Sequence, residues 1–170
     1  MSRQDGLKET AYNREKAVAY ARKWALSRNP KYYSFTGLGG DCCNFASQCI
    51  YKGAGVMNYT PLYGWYYHSP SDRTPSWSGV KYLYNFLTGA NGVGPYATET
   101  DISSMQPGDI IQLASYLPEY HHTLVVLETG STPAPDNVLI AAHSYDCVDR
   151  PLNTYAYKQI RFLHIEGVRK

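Results

Sequence analysis

The sequence predicts an α+β domain in which N-terminal helices pack on a small antiparallel sheet. Two observations lead there. Before about residue 101, apolar side chains recur at three- and four-residue steps; after it, short branched apolar runs alternate with turns rich in Pro, Gly and Asn. Helices gathered ahead of strands mark the α+β class rather than an alternating α/β one. A third observation sets the scale: 170 residues, 44% hydrophobic and 18% charged, suit a single folded domain over the whole chain.

The elements follow in order. Residues 1–9 are polar and are expected to be flexible. Over residues 9–29, Tyr12, Ala17, Val18, Ala21, Trp24 and Ala25 fall on one helical face, and Pro30 ends the helix because it drives its predecessor out of helical backbone. A loop, "KYYSFTGLGG", leads to a second helix from about Cys42 to Lys52, with Phe45, Cys49 and Ile50 inward and Gly53 as its stop. Residues 56–77 read as a long aromatic loop, and segments of that length usually carry a function. Ser76 is placed to cap a third helix, "SGVKYLYNFL". Glycines at 89, 92 and 94 return the chain to the surface. Strands are expected at "GDIIQLAS", "HHTLVVLET", "NVLIAAHSY" and "KQIRFLHIE".

Composition narrows the function. A formal net charge of +2 without any Lys/Arg run gives no electrostatic reason for a nucleic-acid partner. No apolar run approaches the roughly 20 residues of a membrane span, and the first residues hold no signal-peptide core. Four cysteines make no disulfide scaffold, and the adjacent Cys42 and Cys43 are a poor pair for one. Seventeen tyrosines are the compositional oddity; they supply flat amphipathic area suited to a cleft for extended polar ligands, or to a core and its rim.

The chemistry centres on "GLGGDCCNFASQCI", residues 37–50. A cysteine at a helix start has its thiolate favoured by the helix dipole and by free backbone N–H groups, which can also receive an oxyanion. Such a thiol needs an imidazole to take its proton, and the imidazole needs an orienting partner. His122 opens one expected strand and His143 interrupts the next, so a hairpin would bring both to one end of the sheet. Strand alternation sends His121 and His122 to opposite faces, and His122, which adjoins the buried run, is expected to face Cys42. Cys43, Cys49 and Cys147 read as packing, and His68 and His164 as surface or structural groups. The Cys and His residues lack the spacings of zinc modules, and "GLGG" lacks the frame of a phosphate loop, so neither a metal nor a cofactor is expected.

These residues resemble an amidase domain family common in Gram-positive bacteria, whose members look like relatives of the papain-like NlpC and CHAP cell-wall cysteine peptidases. The resemblance is carried by "YNREKAVAYARKWALSRNPKYYSF", "GGDCCNFASQCI", "PGDIIQL", "HTLVVL" and "AAHSYDCVDRPL", which span nearly the whole chain. It implies a papain-like fold, with Cys42 as nucleophile, His122 as base and His143 as the group that orients it. Position 43 departs from the pattern, because a small hydroxyl residue is more usual there than cysteine. Asp41 could cap the helix or hold the loop, Asp146 rivals His143, and Tyr32 or Tyr33 could assist the oxyanion. Tyr63, Trp65, Tyr66 and Trp77 are expected to wall the cleft.

The reading so reached is a monomeric cysteine amidase or endopeptidase that cleaves an amide bond in cell-wall peptide or muropeptide. A phage lysin, a domain of a longer protein or a host enzyme exported by another route would each fit. A transamidase or acyltransferase on the same thioester, and a wall-binding module without catalysis, are the alternatives.

Overall fold

A computed structural model describes residues 6–116 and 118–170. It is an α+β structure built from helices and an antiparallel sheet; of the segment 1–9 expected to be flexible, residues 1–5 lie outside the described part. Helix α1 spans Arg14–Trp24, and the Asn13 side chain caps it by accepting the Lys16 N–H at 3.0 Å. It ends five residues earlier than Pro30 alone predicts. Helix α2 spans Cys42–Ala54 and is buried along almost its whole length. Ala17 and Ala21 on α1 are fully buried, and such small side chains let the two helices approach closely. Gly53, expected as the stop, lies inside α2. A Cβ there would sit 2.8 Å from the Asn13 carbonyl oxygen and nearer still to the Tyr12 ring, so glycine serves helix–helix contact. The stop is Gly55, at φ +75, whose N–H bonds the Tyr51 carbonyl.

The expected third helix is two: α3 over Pro75–Ser78 and α4 over Val80–Thr88. Ser76 does not cap; its hydroxyl donates to the Gly64 carbonyl at 2.6 Å, and Pro75 takes the first helical position after Thr74. The aromatic stretch before it holds a short hairpin, β2 (Tyr67–Ser69) and β3 (Asp72–Arg73).

The main sheet comprises β1 (Glu9–Thr10), β4 (Gly94–Thr100), β5 (Ile110–Ala114), β6 (His122–Glu128), β7 (Leu139–Ala142), β8 (Cys147–Pro151) and β9 (Gln159–Arg169). Strands β1, β4 and β8 are absent from the expectation. The path runs β1-β9-β5-β6-β7-β8, all antiparallel, with β4 also on β9. Because β4 pairs with residues 162–169 of β9, overlapping both β5 and β1, it occupies β9's other edge.

The sheet is buried on both sides. Ile110, Val125, Ala141, Leu163 and Ile165 join the helices in one core, while Ile111, Leu113, Leu124, Val126, Ile140 and Ala142 pack under Met105, Val138 and Leu152 in a second. Burial at about 25 cal/mol per Å² makes these two cores the main stabilising term. Among the described residues, no helix is long and apolar enough to cross a membrane.

Candidate functional site

Glycines 37, 39 and 40 all have positive φ, so the "GLGG" loop turns sharply and delivers Asp41 and Cys42 to the start of α2. Asp41 is fully buried and does not cap the helix. Its Oδ1 accepts the Phe35 N–H at 2.8 Å and the Asn44 side-chain amide at 2.9 Å, and its Oδ2 lies 2.6 Å from His143 Nδ1. Arg28 Nε stands 3.4 Å from the same oxygen. Of the two roles open to Asp41, the structure shows the second: it holds the loop against the helix.

Burial alone would raise the Asp41 carboxyl, but hydrogen bonds from His143, Asn44 and the Phe35 N–H outweigh it and hold the group below the usual carboxylate range. Asp41 is therefore a carboxylate. His143 Nε2 meets the Trp24 carbonyl oxygen at 2.8 Å, at the end of α1, where that oxygen also accepts the Ser27 N–H at 3.2 Å. Each ring nitrogen of His143 thus faces an oxygen, Nδ1 that of Asp41 and Nε2 that of Trp24, and the ring is stacked on Phe45 at 4.0 Å. The Asn44 carbonyl oxygen accepts from Trp77 Nε1 at 2.9 Å, which ties the loop to the aromatic core.

Cys42 is 5% exposed. Burial pushes its thiol up to about 11, against the opposing pull of the Thr123, Cys43 and Cys42 backbone N–H groups. Its sulfur lies 3.8 Å from the His121 carbonyl oxygen. Cys43 is buried beside the Thr123 hydroxyl, and burial likewise pushes its thiol well up. Cys49 is a core residue, and Cys147 Sγ meets the Tyr155 hydroxyl at 3.4 Å.

The expected triad is not what the fold assembles. His122 pairs opposite Leu113, a member of the second core, and its ring lies 5.8 Å from Tyr155 on that same side. Cys42 belongs to the helix-side core. The two side chains therefore point to opposite faces of the sheet. Burial drives the His122 ring down to about 4, with His121 and Arg150 adding to the drop, so it is neutral near pH 7. His143 cannot orient His122, because both of its nitrogens are taken by Asp41 and Trp24. Asp146 cannot either; its carboxylate is held by Arg28 at 2.7 and 3.0 Å.

The histidine on the Cys42 side is His121. Its N–H bonds Leu113, continuing the ladder, and alternation puts its side chain on the face of Thr123 and Val125. The ring is turned toward the preceding hairpin, where Nε2 accepts the Ser115 N–H at 3.0 Å. It is exposed, and the Nε2 lone pair is the acceptor of that bond. Among the described residues, no hydrogen bond joins Cys42 to an imidazole.

The aromatic expectations divide. Trp65 and Trp77 are fully buried, 5.0 Å apart, and belong to the core, not to a cleft. The Trp65 indole N–H satisfies Ser47, the partner a buried indole needs. Tyr63 is exposed, and Tyr66 is half-buried with its hydroxyl on Asp72. Tyr32 is stacked on Trp77 at 5.9 Å, and burial with Tyr51 and Tyr67 beside it pushes the hydroxyl up to about 12. Tyr33 is exposed, and its carbonyl accepts from Asn44. Sequence reasoning missed Arg28, Asn44 and Thr123. The Asp-x-x-Asn spacing of Asp41 and Asn44 was the available signal for one of them. Among the described residues no cluster of three or more His, Cys, Asp or Glu side chains could hold a metal.

Residues 11–165 match the model of the family described as "Putative amidase domain", and the chain belongs to that family. It is 32% identical over 144 residues to the uncharacterized protein YhbB of Bacillus subtilis (strain 168), an alignment covering 79% of this chain and 42% of that protein. The chain thus spans less than half the length of the curated relative it matches. No solved structure matches.

Proposed function

From its place in this amidase family and the position of Cys42, we propose that the protein is a cysteine hydrolase that cleaves an amide bond in the peptide part of bacterial cell wall. The observation that carries the reading is a thiol at the first residue of α2, facing backbone N–H groups and fixed in place by the Asp41–His143 pair. The "GGDCCNF" and "HTLVVL" texts resemble the amidase family, whose members look like relatives of the papain-like NlpC and CHAP wall peptidases, and that resemblance is the ground for proposing a cell-wall substrate.

His121 is the proposed base. It shares the Cys42 side of β6, is accessible, and presents an unprotonated Nε2 once released from Ser115. On substrate binding its ring turns to Cys42 and takes the thiol proton as sulfur adds to the scissile carbonyl. The Cys42 and Cys43 N–H groups receive the oxyanion. The proton then passes to the departing amine, leaving a thioester that water hydrolyses to the acid and the free thiol. His143 and Asp41 position the helix start and do not touch the reacting atoms.

The raised thiol makes this a resting state in which nucleophile and base are apart. The same feature favours a second reading, a non-catalytic wall-binding module. Release of soluble fragments from purified cell wall separates them. The wild type and His122→Ala should release fragments, while Cys42→Ala and His121→Ala should not. Release that survives in Cys42→Ala refutes the nucleophile, and an inactive wild type with intact wall binding supports the module. Mass spectrometry of the fragments names the bond.

A further inference from the structure

A groove of about 1000 Å³ lies away from Cys42, between α1 and the C-terminal half of α2. Four lysines line it: Lys16 and Lys23 from α1, Lys31 from the following loop and Lys52 from the last turn of α2. Among the described residues, no acidic one lines it. All four lysines are exposed, and none forms a salt bridge among the described residues. Much of the remaining wall is aromatic, with Trp24, Tyr32, Tyr51 and Tyr59 bordering the space beside Asn29 and Met57. Lys23 Nζ stands 5.3 Å over the Trp24 ring and Lys52 Nζ 5.8 Å over the Tyr20 ring.

The arrangement has a local origin. Lys16, Ala19, Tyr20 and Lys23 recur at three, four and seven residues, which puts them on one face of α1 with small Ala19 leaving space between the cations. A concave surface lined by one sign of charge concentrates counter-ions of the other sign, even on a chain whose net charge is only +2. Aromatic faces next to ammonium groups suit a ligand with both flat apolar ring faces and anionic substituents.

We infer that this groove binds an anionic glycan, a chain of sugar rings bearing phosphate or carboxylate groups. It is a second site. Lys52 lies ten residues along α2 from Cys42, roughly 15 Å at 1.5 Å per residue. The segment from Asn29 to Phe35 links the two: Asn29, Lys31 and Tyr32 line the groove, while the Phe35 N–H bonds Asp41. A polymer held in the groove would thus be tethered within a short reach of the thiol.

The test is binding by calorimetry, with the Cys42→Ala protein so that hydrolysis plays no part and failure of the catalytic reading leaves this one standing. The probes are an oligogalacturonate, a glycosylated poly(ribitol phosphate), neutral dextran and oligo(dT). The anionic glycans should bind, dextran at least tenfold more weakly. The combined Lys16→Gln, Lys23→Gln, Lys31→Gln and Lys52→Gln variant should lose at least tenfold in affinity, and binding should fall steeply from 50 to 500 mM salt. Comparison of the two anionic glycans shows whether carboxylate or phosphate is preferred. Because the lysines are exposed, the variant should keep its melting temperature, and Tyr59→Ala, which leaves the charge intact, provides an independent variant that should also weaken binding. Equal binding of dextran, unchanged affinity in the lysine variant, or tighter binding of oligo(dT) than of either glycan would overturn the inference.

Discussion

Protonation of His122 should make the protein acid-sensitive in a defined window. The ring is held at about 4 in the folded state, mainly by burial, against about 6.5 in an unfolded chain. Between these values the unfolded state binds a proton that the native state refuses, so stability rises with pH there and falls on acidification. The full difference of about 2.5 pK units corresponds to about 3 kcal/mol, of which roughly 2.5 kcal/mol is lost between pH 7 and pH 4.5. Asp41 acts in a separate, lower window. Its carboxyl is depressed, so its contribution is intact above about pH 4 and disappears only below. Urea denaturation at pH 7 and pH 4.5, on wild type and His122→Leu, isolates the effect: the variant should lose about 2 kcal/mol less than wild type over that interval. The NMR titration of the His122 ring gives the same answer directly. Equal pH dependence in both proteins, or a ring that titrates near 6.5, would show that His122 is not buried on the second face and is not separated from Cys42 by the sheet.

Three further predictions rest on other contacts. Gly53→Ala should destabilise by about 1–3 kcal/mol in thermal unfolding although alanine favours helix, because the added methyl meets the Tyr12 ring and the Asn13 carbonyl. Asp41→Asn should cost about 1–3 kcal/mol and weaken the proposed hydrolysis beyond what lost folding explains, since a neutral amide replaces the buried carboxylate that accepts from the Phe35 N–H and the Asn44 amide and faces His143 Nδ1. Resting Cys42 should alkylate at pH 7 more slowly than a free thiol, at a rate still rising at pH 9, because burial holds it at about 11; a plateau near pH 6 by mass-spectrometric mapping would contradict this.

The helical periodicity of residues 14–24 and 42–54 and the branched runs of β5, β6, β7 and β9 were legible because local pattern suffices for such elements. Strand β4, "GPYATET", was not, since its proline, glycine and acid resemble loop text and only the length of β9 gives it an edge to pair with. The tryptophans misled for a related reason: "GWYY" and "PSWSG" carry no signal of burial, and the partners that make burial tolerable, Ser47 and Asn44, lie on another element.

The sequence by itself determined the helix start that bears Cys42 and the presence of two histidines where β6 begins. It could not say which histidine faces the thiol. From Thr123 to Leu127 every residue is buried, because this sheet has a core on each side, and a strand buried on both faces shows no alternation of apolar with polar residues. Only the packing of α2 on one face and of Leu152 and Tyr155 on the other decides it, and that decision moves the candidate base from His122 to His121.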